Sequence, residues 1–398
     1  MRDLRARLGR PGHPDYWLIG AVAALLLFGL NMVYSASFVL AHNNPLYGDE
    51  SYFLKRQALW MALGIAGAVV LARLNYQWLQ RVSAVGLIVV ILLLVAVIMP
   101  GLGVSEYGAA RWLKLGPLTL QPSELAKLAV IVFFADWLAR KGEHVGHLSY
   151  GSLPFAVILA VVCGLIMLQP DLGTTAVVAI SAIAIFFIAG ADLRHFLLGM
   201  IGAGAALWAL IQAAPYRVAR LDAFLDPEAD PLGKGWHSLQ SMIAIGSGGI
   251  FGVGAGASRQ KHYYLFGAHN DAIFAVVAEE MGLIGSVALL AGLCFLVIRG
   301  LTVAHRTNDR FGSMLAAGSS CMIAVQAVMN VAVVTSSIPA TGVPLPFISY
   351  GGSALVFTMV SVGIILNVSQ YPNGRADSLR VSPERTFSER RRPASFGT

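Results

Sequence analysis

Charge is scarce in this chain. Asp, Glu, Lys and Arg make up 12% of its 398 residues, about half of the roughly 25% usual in soluble domains. A soluble fold of this length would leave a large apolar excess against water, so that class is excluded. Cysteine is scarcer still. Cys163, Cys294 and Cys321 all lie inside apolar segments, with neither a disulfide framework nor metal-ligand spacing among them. No Gly-Lys-Ser/Thr run follows the glycine cluster at 246–256, and no Rossmann-type strand precedes it. Disorder and collagen are excluded by a hydrophobic content of 57% and a mean hydropathy of +0.69. What the chain has in abundance is long apolar runs and 42 glycines, a residue commoner in membrane helices than in soluble ones. The fold class is therefore an all-α polytopic membrane protein.

A spanning helix needs about 20 apolar residues. Ten candidates follow one another, at 17–39, 53–73, 82–100, 122–140, 153–169, 172–190, 194–213, 271–299, 311–337 and 348–370. Residues 1–16 form a basic N-terminus. The apolar run behind them is too long for a signal-peptide core and lacks a cleavage site, so it is expected to stay attached. Residues 17–370 make the membrane domain, with a large outer loop at 214–270 between spans seven and eight. Residues 371–398 suit a disordered basic tail, either simply solvated or touching anionic lipid through Arg390, Arg391 and Arg392. The formal charge of +7 does not point to nucleic acid, because the basic residues sit mainly between apolar runs. With both termini in the cytoplasm, 18 of the 28 Lys and Arg residues fall inside, as the positive-inside rule requires.

The informative polar residues then gather at the outer face. Arg111 and Lys114 precede Gln121, Pro122, Glu124 and Lys127. Glu124 and Lys127 are three apart on one helix face and can pair. They serve either as an ion pair that orients the span or as a polar wall for an anionic headgroup, with Arg111 and Lys114 on phosphate. The long loop carries Arg217, then the glycine cluster, which either packs backbone closely or cradles phosphate. Ser258, Arg259, Lys261 and His269 lead to Asp271, which either caps a helix or does chemistry. Glu279 and Glu280 follow and point different ways round the helix. In the last outer turn, Pro344 and Pro346 break the chain into a bent segment expected to pack on protein, with Ser349, Tyr350 and Ser353 beside it.

Six runs together resemble the shape, elongation, division and sporulation (SEDS) family of membrane glycosyltransferases, the FtsW and RodA proteins. They are QPSELAK at 121–127, QPDLGT at 169–174, FLDPEADPLGKGWHSLQS at 224–241, SRQKHYYL at 258–265, AHNDAIFAVVAEEMGLIG at 268–285 and TGVPLPFISYGGS at 341–353. The run YRVARLDAFLDP and SRQKHYYL look more like the division-type FtsW branch. One stretch departs from the family: Leu265-Phe266-Gly267-Ala268-His269-Asn270-Asp271-Ala272 stands where Leu-Pro-Glu-Ala-His-Thr-Asp-Phe is usual, so only the Asp carries over.

The resemblance implies a bacterial inner-membrane enzyme that polymerises lipid II into glycan strands, with inversion and release of undecaprenyl pyrophosphate, in septal wall synthesis during division. It implies Asp271 as the catalytic residue. The substrate contacts expected are Arg111, Lys114, Gln121, Glu124, Lys127, Arg217, Ser258, Arg259, Lys261, His269 and Ser349. It also implies a class B penicillin-binding protein and other division proteins as partners. No tightly bound cofactor is expected; a divalent cation, Mg2+ or Mn2+, could bridge Asp271 and the pyrophosphate. A lipid II flippase, a RodA-type elongation polymerase and an inactive scaffold are the competing functions. A transporter would carry ionisable groups near the midplane of several spans, whereas here they gather at the outer face.

Overall fold

The computed structural model describes residues 11–44, 47–100, 103–106, 109–115, 118–212 and 215–371. The N-terminal arginines and the basic tail lie outside them. Ten helices correspond one to one with the ten apolar runs. They are α1 (Tyr16–Asn43), α2 (Tyr52–Arg73), α3 (Gln77–Ile98), α4 (Pro122–Lys141), α5 (Leu153–Met167), α6 (Leu172–Ile188), α7 (Leu193–Gln212), α10 (Ile273–Arg306), α11 (Arg310–Val334) and α12 (Gly352–Ser369). Seven of the described helices are long and apolar enough to cross a membrane on their own count. The long loop is not irregular: it holds α8 (Pro215–Leu225) and α9 (Trp236–Gly248).

Burial sorts these helices. On α3, Val85, Ile88 and Leu92 are more than half exposed, whereas Leu87, Val90 and Leu94 are buried; one side faces lipid and the other protein. The central α11 is buried nearly all round, down to Ser319 and Ser320. Small residues set the closest helix approaches. Gly64 of α2 rests on Met359 of α12, and Gly363 of α12 rests on the backbone of Ala68, where any side chain would hold the helices apart.

One element was not anticipated. Between α3 and α4 the chain forms an antiparallel sheet, β1 (Gly103–Glu106), β2 (Ala109–Leu115) and β3 (Leu118–Leu120), in that spatial order. Leu113 pairs with both Gly103 and Leu120. Two short strands either side of β2 are too brief to register against the hydropathy of the flanking spans.

The glycine cluster has a structural task, the first of the two alternatives. Helix α10 is broken at Gly282 (φ 65, ψ −162). A break at membrane depth leaves backbone groups that lipid cannot satisfy. Here the carbonyl oxygens of Glu279 and Glu280 accept from the N–H groups of Val253 (3.0 Å) and Gly254 (3.1 Å). In return, the N–H groups of Leu283 and Ile284 donate to Gly249 (2.9 Å) and Ile250 (3.2 Å). The glycines are needed because a Cβ on Gly248, Gly252 or Gly282 would fall on the facing backbone.

Replacing Gly282 by Ala should therefore destabilise the protein by about 1–3 kcal/mol, through a left-handed backbone and a lost strand-like contact. Gly86→Ala, where an added Cβ meets nothing within 4 Å, should be neutral or slightly stabilising. Thermal melting in detergent micelles compares the two, and equal midpoints would rule out this role for Gly282.

Candidate active site

Asp271 ends the loop that feeds α10, and four elements fix that loop. Asn330 of α11 donates its amide to the Asp271 carbonyl (2.7 Å) and the Val343 carbonyl (2.8 Å). The Tyr350 N–H donates to the His269 carbonyl (2.8 Å). Trp236, at the start of α9, donates its indole N–H to the Tyr264 carbonyl (2.7 Å). The His269 ring packs against Phe53 of α2 (4.6 Å between centroids) and Tyr350 (5.6 Å). Inside that aromatic cluster burial pushes the imidazole down to about 4, so it is neutral near pH 7.

The Asp271 side chain does not cap α10, whose cap position is Ala272. Its carboxylate lies between two left-handed glycines. A Cβ on Gly267 (φ 68) would stand 2.7 Å from Oδ1, and one on Gly342 (φ 74) 3.9 Å from Oδ2. Desolvation by the surrounding protein raises its pKa above the ordinary carboxylate value, although part of the residue remains exposed. Opposing that rise are the charge of His237, the backbone N–H groups of Asp271 and Ala272, and the charge of Arg220. Arg220, on α8, also donates to the Ala340 carbonyl (3.4 Å), tying that helix to the bent segment that carries Gly342.

Several residues expected to meet substrate are engaged in internal contacts. Lys261 has three ammonium protons and three acceptors: Gly256 carbonyl (2.6 Å), Glu280 (2.9 Å) and Ser35 Oγ (3.2 Å). Ser258 donates to Glu279 (2.5 Å), which also accepts from the Arg259 N–H (2.9 Å). Arg111 donates to the Gln169 carbonyl (3.1 Å) and to that of Pro170, docking β2 on the α5–α6 turn. Ser349 Oγ accepts from the Leu345 N–H (2.8 Å) within the bent segment. His269 contributes its ring to packing.

Glu124 and Lys127 do form the expected pair (2.7 Å), both side chains being buried. Lys127 continues to Gln326 (2.8 Å), and Gln326 to the Pro344 carbonyl (3.0 Å). The pair thus supports the segment beside Asp271. Gln121 donates its amide to Asp171 (3.3 Å). Lys114 and the side chain of Arg259 remain exposed, and Arg217 is half-buried on α8. Arg220, His237, Gly267 and Gly342 were missed. His237 lies 34 residues before Asp271, and no local pattern links them; the two glycines stand out only by their backbone angles.

A resident cation finds no ready cage. Among the described residues no three His, Cys, Asp or Glu side chains gather.

Ten long helices, one of them broken at Gly282 and closed there by a glycine loop, define a polytopic membrane protein. The chain belongs to the FtsW/RodA/SpoVE family. The family model described as "Cell cycle protein" matches residues 16–374. A probable peptidoglycan glycosyltransferase FtsW of Trichlorobacter lovleyi is 42% identical over 370 residues, covering 93% of this chain and 96% of that protein. Stage V sporulation protein E of Bacillus subtilis is 40% identical over 359 residues, covering 90% and 97%. Among solved structures, a chain of a peptidoglycan synthase complex that coordinates polymerisation and crosslinking superposes with a TM-score of 0.75. Its identity is 31%, over 90% of this chain and 98% of that one. The rod shape determining protein RodA of Thermus thermophilus superposes at 0.66 with 29% identity and the same coverage.

Substituting Glu280 by Gln would leave the Lys261 ammonium buried without its counter-charge, and should cost about 3–5 kcal/mol. The apolar double substitution Lys261→Met with Glu280→Leu should recover most of that loss in thermal melting. Full stability of Lys261→Met alone, with substrate binding lost, would restore Lys261 as a phosphate ligand.

Proposed function

We propose that this chain is a peptidoglycan glycosyltransferase that polymerises lipid II, with Asp271 as its general base. The observation that carries the proposal is the Asp271 carboxylate itself: uncapped, walled by glycines, and faced by Arg220 and His237. The acceptor sugar hydroxyl gives its proton to that carboxylate. Its oxygen forms a bond to the donor anomeric carbon from the side opposite the lipid. The bond from that carbon to the pyrophosphate oxygen breaks, and the electron pair leaves with the undecaprenyl pyrophosphate. Inversion follows from the single displacement. The leaving group is a weak base, so cations assist its departure and no second carboxylate is required, unlike glycoside hydrolysis. Exposed Lys114 and Arg259, with Arg217, supply positive charge on this face. The glycine at 267 lets the carboxylate stand where a side chain would displace it.

The site face is outside the cell in this proposal, where glycan strands are made. A class B penicillin-binding protein is the partner it favours, by likeness to the synthase complex. The FtsW role in division is preferred over the sporulation and elongation roles on the runs at 216–227 and 258–265. A flippase would need mobile charge along a path. The buried carboxylates Glu124, Asp136 and Glu280 are each paired with Lys127, Arg140 and Lys261, which disfavours that function.

Asp271→Asn keeps shape and removes basicity. It should retain folding and lipid II binding while polymerisation falls by about 10²–10⁴-fold, read on gels of labelled glycan product. Near-normal polymer from a folded variant would sink the proposal. The base must be ionised to act, so activity is present above the Asp271 pKa and lost as pH falls through it. Arg220→Gln removes a charge that lowers that pKa, and should move the acidic limb of the rate profile to higher pH; an unmoved limb would dissociate Asp271 from it. Gly267→Ala, at a left-handed position (φ 68), should lower melting by the equivalent of about 1–3 kcal/mol and, by shifting Oδ1, cost about 10²-fold in the rate of the protein that remains folded.

A further inference from the structure

The Asp271 carboxylate lies between two separate stretches of chain, and each of its oxygens faces a different one. The Gly267 side is local. The N–H groups of Asn270 (2.8 Å) and Ala272 (3.4 Å) donate to the Gly267 carbonyl, so the turn carries Gly267 along with Asp271. The Gly342 side is remote in sequence. It belongs to the bent segment, where Pro344 and Pro346 bring no N–H and a regular helical ladder cannot form. The gap between Asp271 and Gly342 therefore depends on groups outside both stretches.

Helix α11 supplies them. Gln326 and Asn330 are four apart and share one face of that helix. Gln326 donates its amide to the Pro344 carbonyl (3.0 Å), and Asn330 donates to the preceding carbonyl, that of Val343 (2.8 Å). The same Asn330 nitrogen gives its other proton to the Asp271 carbonyl (2.7 Å). One nitrogen atom thus joins the two stretches. Asn330 is 1% exposed on a helix buried nearly all round, so the bridge stands on a fixed base. Its Oδ1 is buried with no hydrogen-bond partner. An unmet buried acceptor is unfavourable, so what this position uses is the pair of N–H groups. A hydroxyl would offer one proton there and an ionised carboxylate none.

We infer that Asn330 is a positioning residue for the displacement, an inference that rests on the reading of Asp271 as its base. Asn330 sets the gap between the carboxylate and Gly342, and acts through Asp271. Misplacing a reacting group by about 1 Å can cost about 10²-fold in rate.

The test is a mutant cycle of Asn330→Leu and Asp271→Asn in the full chain. Polymerisation of labelled lipid II, lipid II binding and thermal melting are measured on the same preparations. Asn330→Leu keeps the shape of the side chain and removes both donors. In chains that stay folded and bind lipid II, it should lower polymerisation about 10²-fold at unchanged affinity. Added to Asp271→Asn it should cost nothing more, because a group acting only through the base has nothing left to position. A normal rate from folded Asn330→Leu would overturn the inference. So would a further 10²-fold loss in the Asp271→Asn background, the mark of a structural role independent of the base. Should the Leu variant fail to fold, Asn330→Asp, which has the same shape and sets oxygen against both carbonyls, should show the same loss and the same lack of addition; a normal rate from it overturns the inference equally. Near-normal polymer from Asp271→Asn alone is a separate result: it removes the base itself, and the inference with it, whatever Asn330→Leu does.

Discussion

A membrane helix that stops and restarts leaves backbone N–H and C=O groups that hydrocarbon cannot satisfy, and most of this structure follows from how one such interruption is repaired. At Gly282 the repair comes from residues 249–254, which exchange four hydrogen bonds with the two sides of the break. Everything downstream of that loop inherits its position. Ser258 and the Arg259 N–H hang from Glu279, Lys261 from Glu280, and the chain then runs through Tyr264, held by Trp236, to Asp271. The carboxylate at the site is therefore placed by backbone bonds eight residues and more away from it, with Asn330 and Tyr350 completing the frame.

The buried charges obey the same economy of exposure. Glu124–Lys127 and Glu280–Lys261 sit where water is sparse, and an isolated ion there would cost several kcal/mol. Each is neutralised and then extended to a neutral partner, Gln326 in one case and Ser35 in the other. Such pairs contribute little net stability, yet they fix geometry. Lys127, through Gln326, reaches the Pro344 carbonyl; Glu280 and Lys261 tie α1 to the loop that leads to Asp271. A cation held on three sides is a poor ligand for an arriving phosphate, which is why Lys261 belongs to the frame and the exposed Lys114 and Arg259 do not.

This distinction shows where the sequence was legible. The ten spans were readable because 20 or so apolar residues can do little else; most boundaries fall within five residues of the runs, and α10 extends seven residues past its run, to Arg306. The bent segment at 341–351 was readable from Pro344 and Pro346, and the divergence of Glu279 and Glu280 from helical geometry. Asp271 stood out by position and by resemblance. What could not be read was which cation meets which acceptor. Arg111 reads the same whether it reaches for phosphate or for the Gln169 carbonyl, because both are oxygens and only the fold chooses between them. The small sheet at 103–120 was hidden for a related reason, since its strands are stabilised by pairing rather than by any period of their own. His237 and Arg220 reach Asp271 only because α8 and α9 fold back over it, a long-range fact without a local trace.

The environment of Asp271 is a balance rather than an extreme. Burial alone would drive the carboxyl toward its neutral form, which could not accept a proton. Full exposure would leave it at the ordinary carboxylate pKa of about 3.9, too weak a base to assist an alcohol. His237, Arg220 and two backbone N–H groups pull against that desolvation. Gly267 and Gly342 complete the balance by withholding side chains, since a methyl group at either would stand against a carboxylate oxygen. The charges of His237 and Arg220 thus oppose the desolvation of the carboxylate without cancelling it.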